Sequence, residues 1–179
     1  MVVASLKDVG STRRVFERVP EGTRLSYNPG SSEFREDPRS LLRLMKFRKP
    51  YLLALNETEI AQLHGEDAPD PTDPDRISKI ARLPERTSKL AEFVLCTAGK
   101  DGIFLAHNND TQRQKAQVVE WPKDTLGAGD RAHAAAIHGL TRRVPHDKIL
   151  AEVAESAAQV VSHTGAHGDL YHSVYPHLS

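Results

Sequence analysis

Short apolar runs alternate along the chain with segments whose apolar residues recur at helical spacing. Ser11 to Val19 reads as a helix, and Pro20-Glu21-Gly22 turns the chain into the short strand Thr23 to Tyr27, closed by Asn28-Pro29-Gly30. Asp37-Pro38 precedes Arg39 to Phe47, whose Leu41, Leu42, Leu44 and Met45 describe an amphipathic helix, and Lys49-Pro50 ends it before the apolar strand Tyr51 to Leu55. Asn56-Glu57-Thr58-Glu59-Ile60 opens another short helix. Glu66 to Arg76 holds three prolines and five acids, a composition that predicts an exposed loop. Ile77 to Glu92 again has helical spacing, with Pro84 expected to kink or divide it. Phe93 to Thr97, Ile103 to Ala106 and Lys115 to Glu120 read as three strands joined by turns at Gly99-Lys100-Asp101-Gly102 and Asn108-Asn109-Asp110, a small antiparallel element. An alanine-rich helix from Arg131 to Leu140 and a second from Asp147 to His163 complete the pattern. Strands alternating with helices predict an α/β layered fold with a mostly parallel sheet.

At 179 residues one domain is expected, spanning 1–179, with 66–76 as its exposed acidic loop and 167–179 as a tail. The 24 Lys and Arg balance the 24 Asp and Glu, so the net charge is zero. That removes the cationic field that non-specific nucleic-acid or anionic-membrane binding needs, and no apolar stretch approaches the roughly 20 residues of a membrane span. Neither nucleic acid nor a membrane is an expected partner. Cys96 is the single cysteine and lies in an apolar strand, which excludes an internal disulfide and predicts a buried thiol in a reducing, cytoplasmic setting. His163 and His167 have the spacing of a helical ligand pair, but Gly165 lies between them and no acidic ligand motif accompanies them.

The segment richest in candidate chemistry is Asp124-Thr125-Leu126-Gly127-Ala128-Gly129-Asp130. It places small residues where the chain enters a helix, so that unpaired N–H groups and the positive end of the dipole are accessible to an anion. Asp130 sits just inside that entrance, where a carboxylate can accept a proton from an attacking hydroxyl. The combination suits phosphoryl transfer. A glycine-rich turn capped by an aspartate is the other reading of the same residues. Asn56-x-x-Glu59 and Thr97-x-Gly99-x-x-Gly102 each follow a strand, and in open α/β sheets the ligand crevice lies at the carboxyl ends of strands.

In that order the three motifs resemble the PfkB/ribokinase family of carbohydrate kinases, over roughly residues 20 to 166. The resemblance implies a ribokinase-like three-layer αβα fold with a mostly parallel sheet. It covers only the carboxy-terminal, nucleotide-binding half of a usual member, so the fold reads as truncated at its amino-terminal side. By resemblance, Asp130 is the base that deprotonates a sugar hydroxyl, and Gly127, Ala128 and Gly129 form the anion hole for the transferred phosphoryl group. Thr97, Gly99, Gly102 and Thr125 fall on the nucleotide side, while Asn56 and Glu59 organise Mg2+ through water. Asp124 is implied beside a monovalent cation such as K+, and residues 157–166 resemble the helix and turn that line an adenine pocket.

The activity so implied is ATP-dependent phosphorylation of a sugar or sugar-like hydroxyl. The alternatives are a catalytically incomplete nucleotide-binding module that needs a partner chain, and a relative that uses ADP as donor. A second copy or a complementing chain is expected to cover the open side. The chain departs from the family at Arg131-Ala132-His133, where members often carry a small residue and then an aromatic one; Ala132 offers less packing there, and His133 is unusual.

Overall fold

The apolar runs flanking residue 75 become the middle of a sheet because both of their faces are covered. Leu52–Asn56 (β3) and Phe93–Thr97 (β4) bury four consecutive side chains each, which only a strand between two helical layers can do. The computed structural model describes residues 1–4, 9–29, 38–120 and 125–162. In it Val2–Ala4 (β1), Leu25–Tyr27 (β2), β3 and β4 run parallel, and Ile103–His107 (β5) and Asp110–Gln114 (β6) add antiparallel to β4. The sheet has six strands in chain order, β1-β2-β3-β4-β5-β6.

Helices Val9–Arg18 (α1), Pro38–Phe47 (α2), Glu57–Leu63 (α3) and Arg76–Thr87 (α4) cover one face. Phe16, Leu41, Ile60 and Ile80 pack there on Leu53, Leu55, Val94, Cys96 and Phe104. Ala128–Thr141 (α5) and His146–Val161 (α6) cover the other, where Ala132, Ala136, Ile149 and Val153 meet Leu52, Ala54, Leu95 and Leu105. Alternate residues of β3 and β4 thus divide between two cores, giving the three-layer αβα arrangement expected of the sequence. Arg48 fastens the layer at one end, donating to the carbonyls of Phe16 at 3.2 Å, Pro20 at 2.7 Å and Thr23 at 3.3 Å. The Phe16 carbonyl is in the last turn of α1, where the helix supplies no partner of its own. No helix among the described residues is long and apolar enough to cross a membrane.

Three local expectations change. Pro84 does not divide its helix: α4 runs unbroken over Arg76–Thr87 with Pro84 buried, and ends at Ser88, short of Glu92. A proline forfeits a single backbone bond there, and Leu83, Pro84 and Thr87 are all buried. The third strand of the antiparallel element is polar Asp110–Gln114, and residues 115–120 form no strand. Asn108 and Asn109 both take left-handed φ angles, 50° and 62°, so the hairpin closes in two residues and pairing begins at once with His107 opposite Asp110. The opening residues also contribute β1, a strand the sequence pattern did not signal. His163, His167 and the 167–179 tail lie outside the described residues.

Candidate functional site

A cavity of about 720 Å³ opens at the carboxyl ends of β2, β3 and β4, walled by Asn28, Asn56, Glu59, Thr97, Thr125 and Asp130 together with Gly127 and Gly129. Each wall has a local cause. Asn56 is the N-cap of α3: its Oδ1 accepts from Glu59 N at 2.8 Å, and Glu59 Oε2 accepts from Asn56 N at 2.9 Å. The Asn-x-x-Glu spacing is therefore a capping box, which places a buried carboxylate at the first turn of a helix.

At the end of β4 the chain turns through a 3-10 segment, Gly99–Asp101. Ala98 N donates to Gly102 O at 2.9 Å, and Gly102 N donates to Gly99 O at 3.1 Å. Gly102 has φ 102°, and a Cβ there would stand 2.2 Å from Gln114 O, so no other residue fits. Thr97 reaches the cavity wall, whereas Gly99 and Gly102 shape the turn behind it.

Gly127 caps α5 with φ 83°, a left-handed conformation, and offers no side-chain hydrogen bond to the helix start. Ala128 N donates back to Thr125 O at 3.3 Å and Arg131 N to Gly127 O at 2.9 Å. Between them lie the first-turn N–H groups of Gly129 and Asp130, which no earlier carbonyl of the helix can satisfy. Gly129 lines the cavity, and a Cβ built on it meets no heavy atom within 4 Å. Ala128, expected in the anion hole, is not among the residues that line the cavity, and its N–H is taken by Thr125 O.

Asp130 is exposed on the cavity side, and Asn28 Nδ2 donates to its Oδ1 at 2.9 Å. From sequence Asn28 reads as a plain turn residue. Its proximity to Asp130 arises across 102 positions, and the only local signal is an Asn directly after a strand. One turn further along α5, His133 is buried and joined to the equally buried Ser26 by a hydrogen bond of 2.6 Å between Nε2 and Oγ, its donor set by the imidazole tautomer. Burial lowers the His133 pKa to about 4 against the opposing charge of Asp130, so the ring is neutral at physiological pH.

The structure thus gathers Asn56, Glu59, Thr97, Thr125, Gly127, Gly129 and Asp130 around one cavity and adds Asn28. Asp124 and residues 163–166 lie outside the described residues, while residues 157–161 form the last turns of α6. Cys96, beneath the site, is fully buried, and burial, with the charges of Glu57 and Glu59, pushes its thiol pKa far up. Among the described residues no three His, Cys, Asp or Glu side chains converge as a metal cage. Carboxylate and amide oxygens are the donors that Mg2+ accepts, usually with several waters retained, so Glu59 at the cavity wall fits a water-bridged ion.

Among curated protein sequences none matches the chain. Solved structures of similar fold include Escherichia coli phosphofructokinase-2 in complex with potassium, at TM-score 0.70 and 16% identity over 93% of this chain and 51% of that one. Ribokinase from Cryptococcus neoformans in complex with ADP has TM-score 0.71 and 20% identity over 88% and 53% respectively. Adenosine kinase from Sinorhizobium meliloti has TM-score 0.68 and 19% identity over 88% and 45%. The chain therefore spans about half the length of the structures it resembles. The pattern of the pfkB family carbohydrate kinases matches residues 27–172, and the chain belongs to that family.

Proposed function

We propose that the cavity is the phosphoryl-transfer site of an ATP-dependent kinase acting on a sugar or sugar-like hydroxyl, with Asp130 as general base. The observation that carries this reading is the meeting of Asp130 with the open first turn of α5 on one cavity wall. The Asp130 carboxylate takes the proton of the acceptor hydroxyl as its oxygen attacks the γ-phosphorus. The bond to the β–γ bridging oxygen breaks, and ADP leaves. Of the anion hole over Gly127, Ala128 and Gly129, the Gly129 N–H and the dipole of α5 face the charge that grows on the transferred group, while Ala128 N is turned back to Thr125 O. Asn28 holds the carboxylate by one oxygen and leaves the acceptor to approach from the cavity.

Glu59, with Asn56, would hold Mg2+ through water, an ion that neutralises phosphate charge. Thr97 and Thr125 lie on the nucleotide side, and Asp124 belongs to the same proposal as a neighbour of K+. The half-length coverage favours a second reading in which this chain is a nucleotide-binding module, with a second copy or a complementing chain supplying the rest of the acceptor site.

Calorimetry with Mg2+ and ATP tests the site. The expected result is micromolar-range binding, abolished in Gly129→Val and kept in Asp130→Asn. Because Gly129 has open space around its Cβ position, the valine fills ligand volume without disturbing the fold. No binding to the folded wild-type chain overturns both readings; binding with no transfer to any sugar, alone or with a partner, leaves the module.

A further inference from the structure

We propose that the buried Ser26–His133 pair sets the register between β2 and α5 that brings Asn28 against Asp130, making His133 a positioning residue for that carboxylate. The inference rests on the proposed role of Asp130 and concerns how its carboxylate is held.

Ser26 lies in β2 and Asn28 directly follows that strand, two residues on, the spacing at which a strand's side chains return to one side. Ser26 pairs with Leu52, whose side chain belongs to the core beneath α5 and α6. Its flanking neighbours Leu25 and Tyr27 belong to the opposite core. A serine hydroxyl therefore stands on an apolar face that α5 covers. On α5, Asp130 and His133 are three residues apart and share one face of the helix.

Strand and helix are thus joined by two hydrogen bonds in the same sense along the chain, an inner one of 2.6 Å between Ser26 and His133 and an outer one of 2.9 Å between Asn28 and Asp130. Apolar packing of Ala132, Ala135 and Ala136 seats the helix on the sheet without directional preference, and the two hydrogen bonds select its rotation and its position along the strand. The inner bond is the stronger constraint, because both residues are buried, at 0% and 4% exposure, where water cannot replace a lost partner. The outer bond is exposed, so solvent competes for it unless the inner one holds its partners together. Neutral His133 also lets the imidazole sit within one helical turn of the Asp130 carboxylate without forming an ion pair that would pull the carboxylate inward.

The test reads the Asn28 side-chain amide in 1H–15N spectra of the full chain, assigned by its loss in Asn28→Asp. No nucleotide is needed, so the result is independent of whether the cavity binds ATP. In the wild type, Asp130→Asn is expected to shift this resonance. In Ser26→Ala, which deletes one oxygen, and in His133→Leu, which keeps the volume, the expected result is a water-exchanging amide that Asp130→Asn no longer moves. Ser26→Thr and His133→Gln, which keep a hydrogen-bonding group, restore the response. A merely structural role would lower stability and leave the response intact. An unchanged response in folded Ser26→Ala or His133→Leu overturns the proposal. So does an Asn28 amide in the wild type that ignores Asp130→Asn.

Discussion

Arg76 Nε lies 2.6 Å from Asp101 Oδ2, and the same guanidinium donates to Glu57 Oε1 at 3.3 Å and to the Pro69 carbonyl. The end of the acidic loop, the first turn of α3 beside Glu59 and the turn after β4 are therefore tied at one cation. The side chains of Arg76 and Asp101 are only 12% and 15% exposed, so the pair is poorly screened. Arg76→Ala is expected to cost about 2 kcal/mol in urea unfolding. Arg76→Lys should recover little of it, because a lysine cannot serve three acceptors from one planar fork. Equal stability of the lysine variant and the wild type would show that the fork geometry is immaterial.

Gly102 and Gly129 respond oppositely to alanine. At Gly102 the left-handed φ and the 2.2 Å approach to Gln114 O predict a loss of about 3 kcal/mol. At Gly129 the Cβ enters open space at a helix start, so Gly129→Ala should hold or raise stability by up to about 1 kcal/mol while weakening Mg2+–ATP binding. Thermal melts paired with calorimetry separate the two; unweakened nucleotide binding in Gly129→Ala counts against phosphate approach at α5.

Glu59→Gln divides the structural from the proposed metal role of Glu59. Glutamine keeps an acceptor for Asn56 N and thus the capping box, so unfolding should move by less than about 1 kcal/mol. The Mg2+ dependence of ATP binding should fall away with the charge. Retention of that dependence in the folded variant would remove Glu59 from the metal site.

His133 couples stability to pH. Its folded pKa of about 4 lies below the ordinary imidazole value of 6.5, so the unfolded chain binds a proton first as pH falls. The stabilisation is fully present above pH 6.5 and is lost on descent to about 4, a difference of about 3 kcal/mol. The unfolding free energy of the wild type minus that of His133→Leu, from urea titrations, should fall by that amount between pH 7 and 4. Parallel curves would show that the ring is not held neutral by burial.

Cys96 is buried and its thiol pKa is raised, so a disulfide reagent at pH 8 should label it only after unfolding. Labelling at the rate of a free thiol in the native chain would contradict the packing of β4 between its two helical layers.

The pattern of residues along the chain determined the layered architecture. Runs such as Leu52 to Leu55 and Phe93 to Cys96 are apolar on both faces, which only a strand between helices satisfies. It also determined the local devices: the Asn56–Glu59 box, the glycine turn ending at Gly102 and the small residues entering α5 all act within a few positions of one another. Tertiary structure alone decided the contacts that complete the site. Asn28 with Asp130, Ser26 with His133 and Arg76 with Asp101 join residues 102, 107 and 25 positions apart, and a serine in a strand or a histidine in a helix carries no mark of its distant partner. The same holds for Pro84, tolerated because packing outweighs one lost backbone bond, and for β6, whose polar register follows from two left-handed asparagines. Hydrophobic period and capping are properties of neighbouring residues, whereas a hydrogen bond between a strand and a helix exists only once the sheet has fixed where both of them lie.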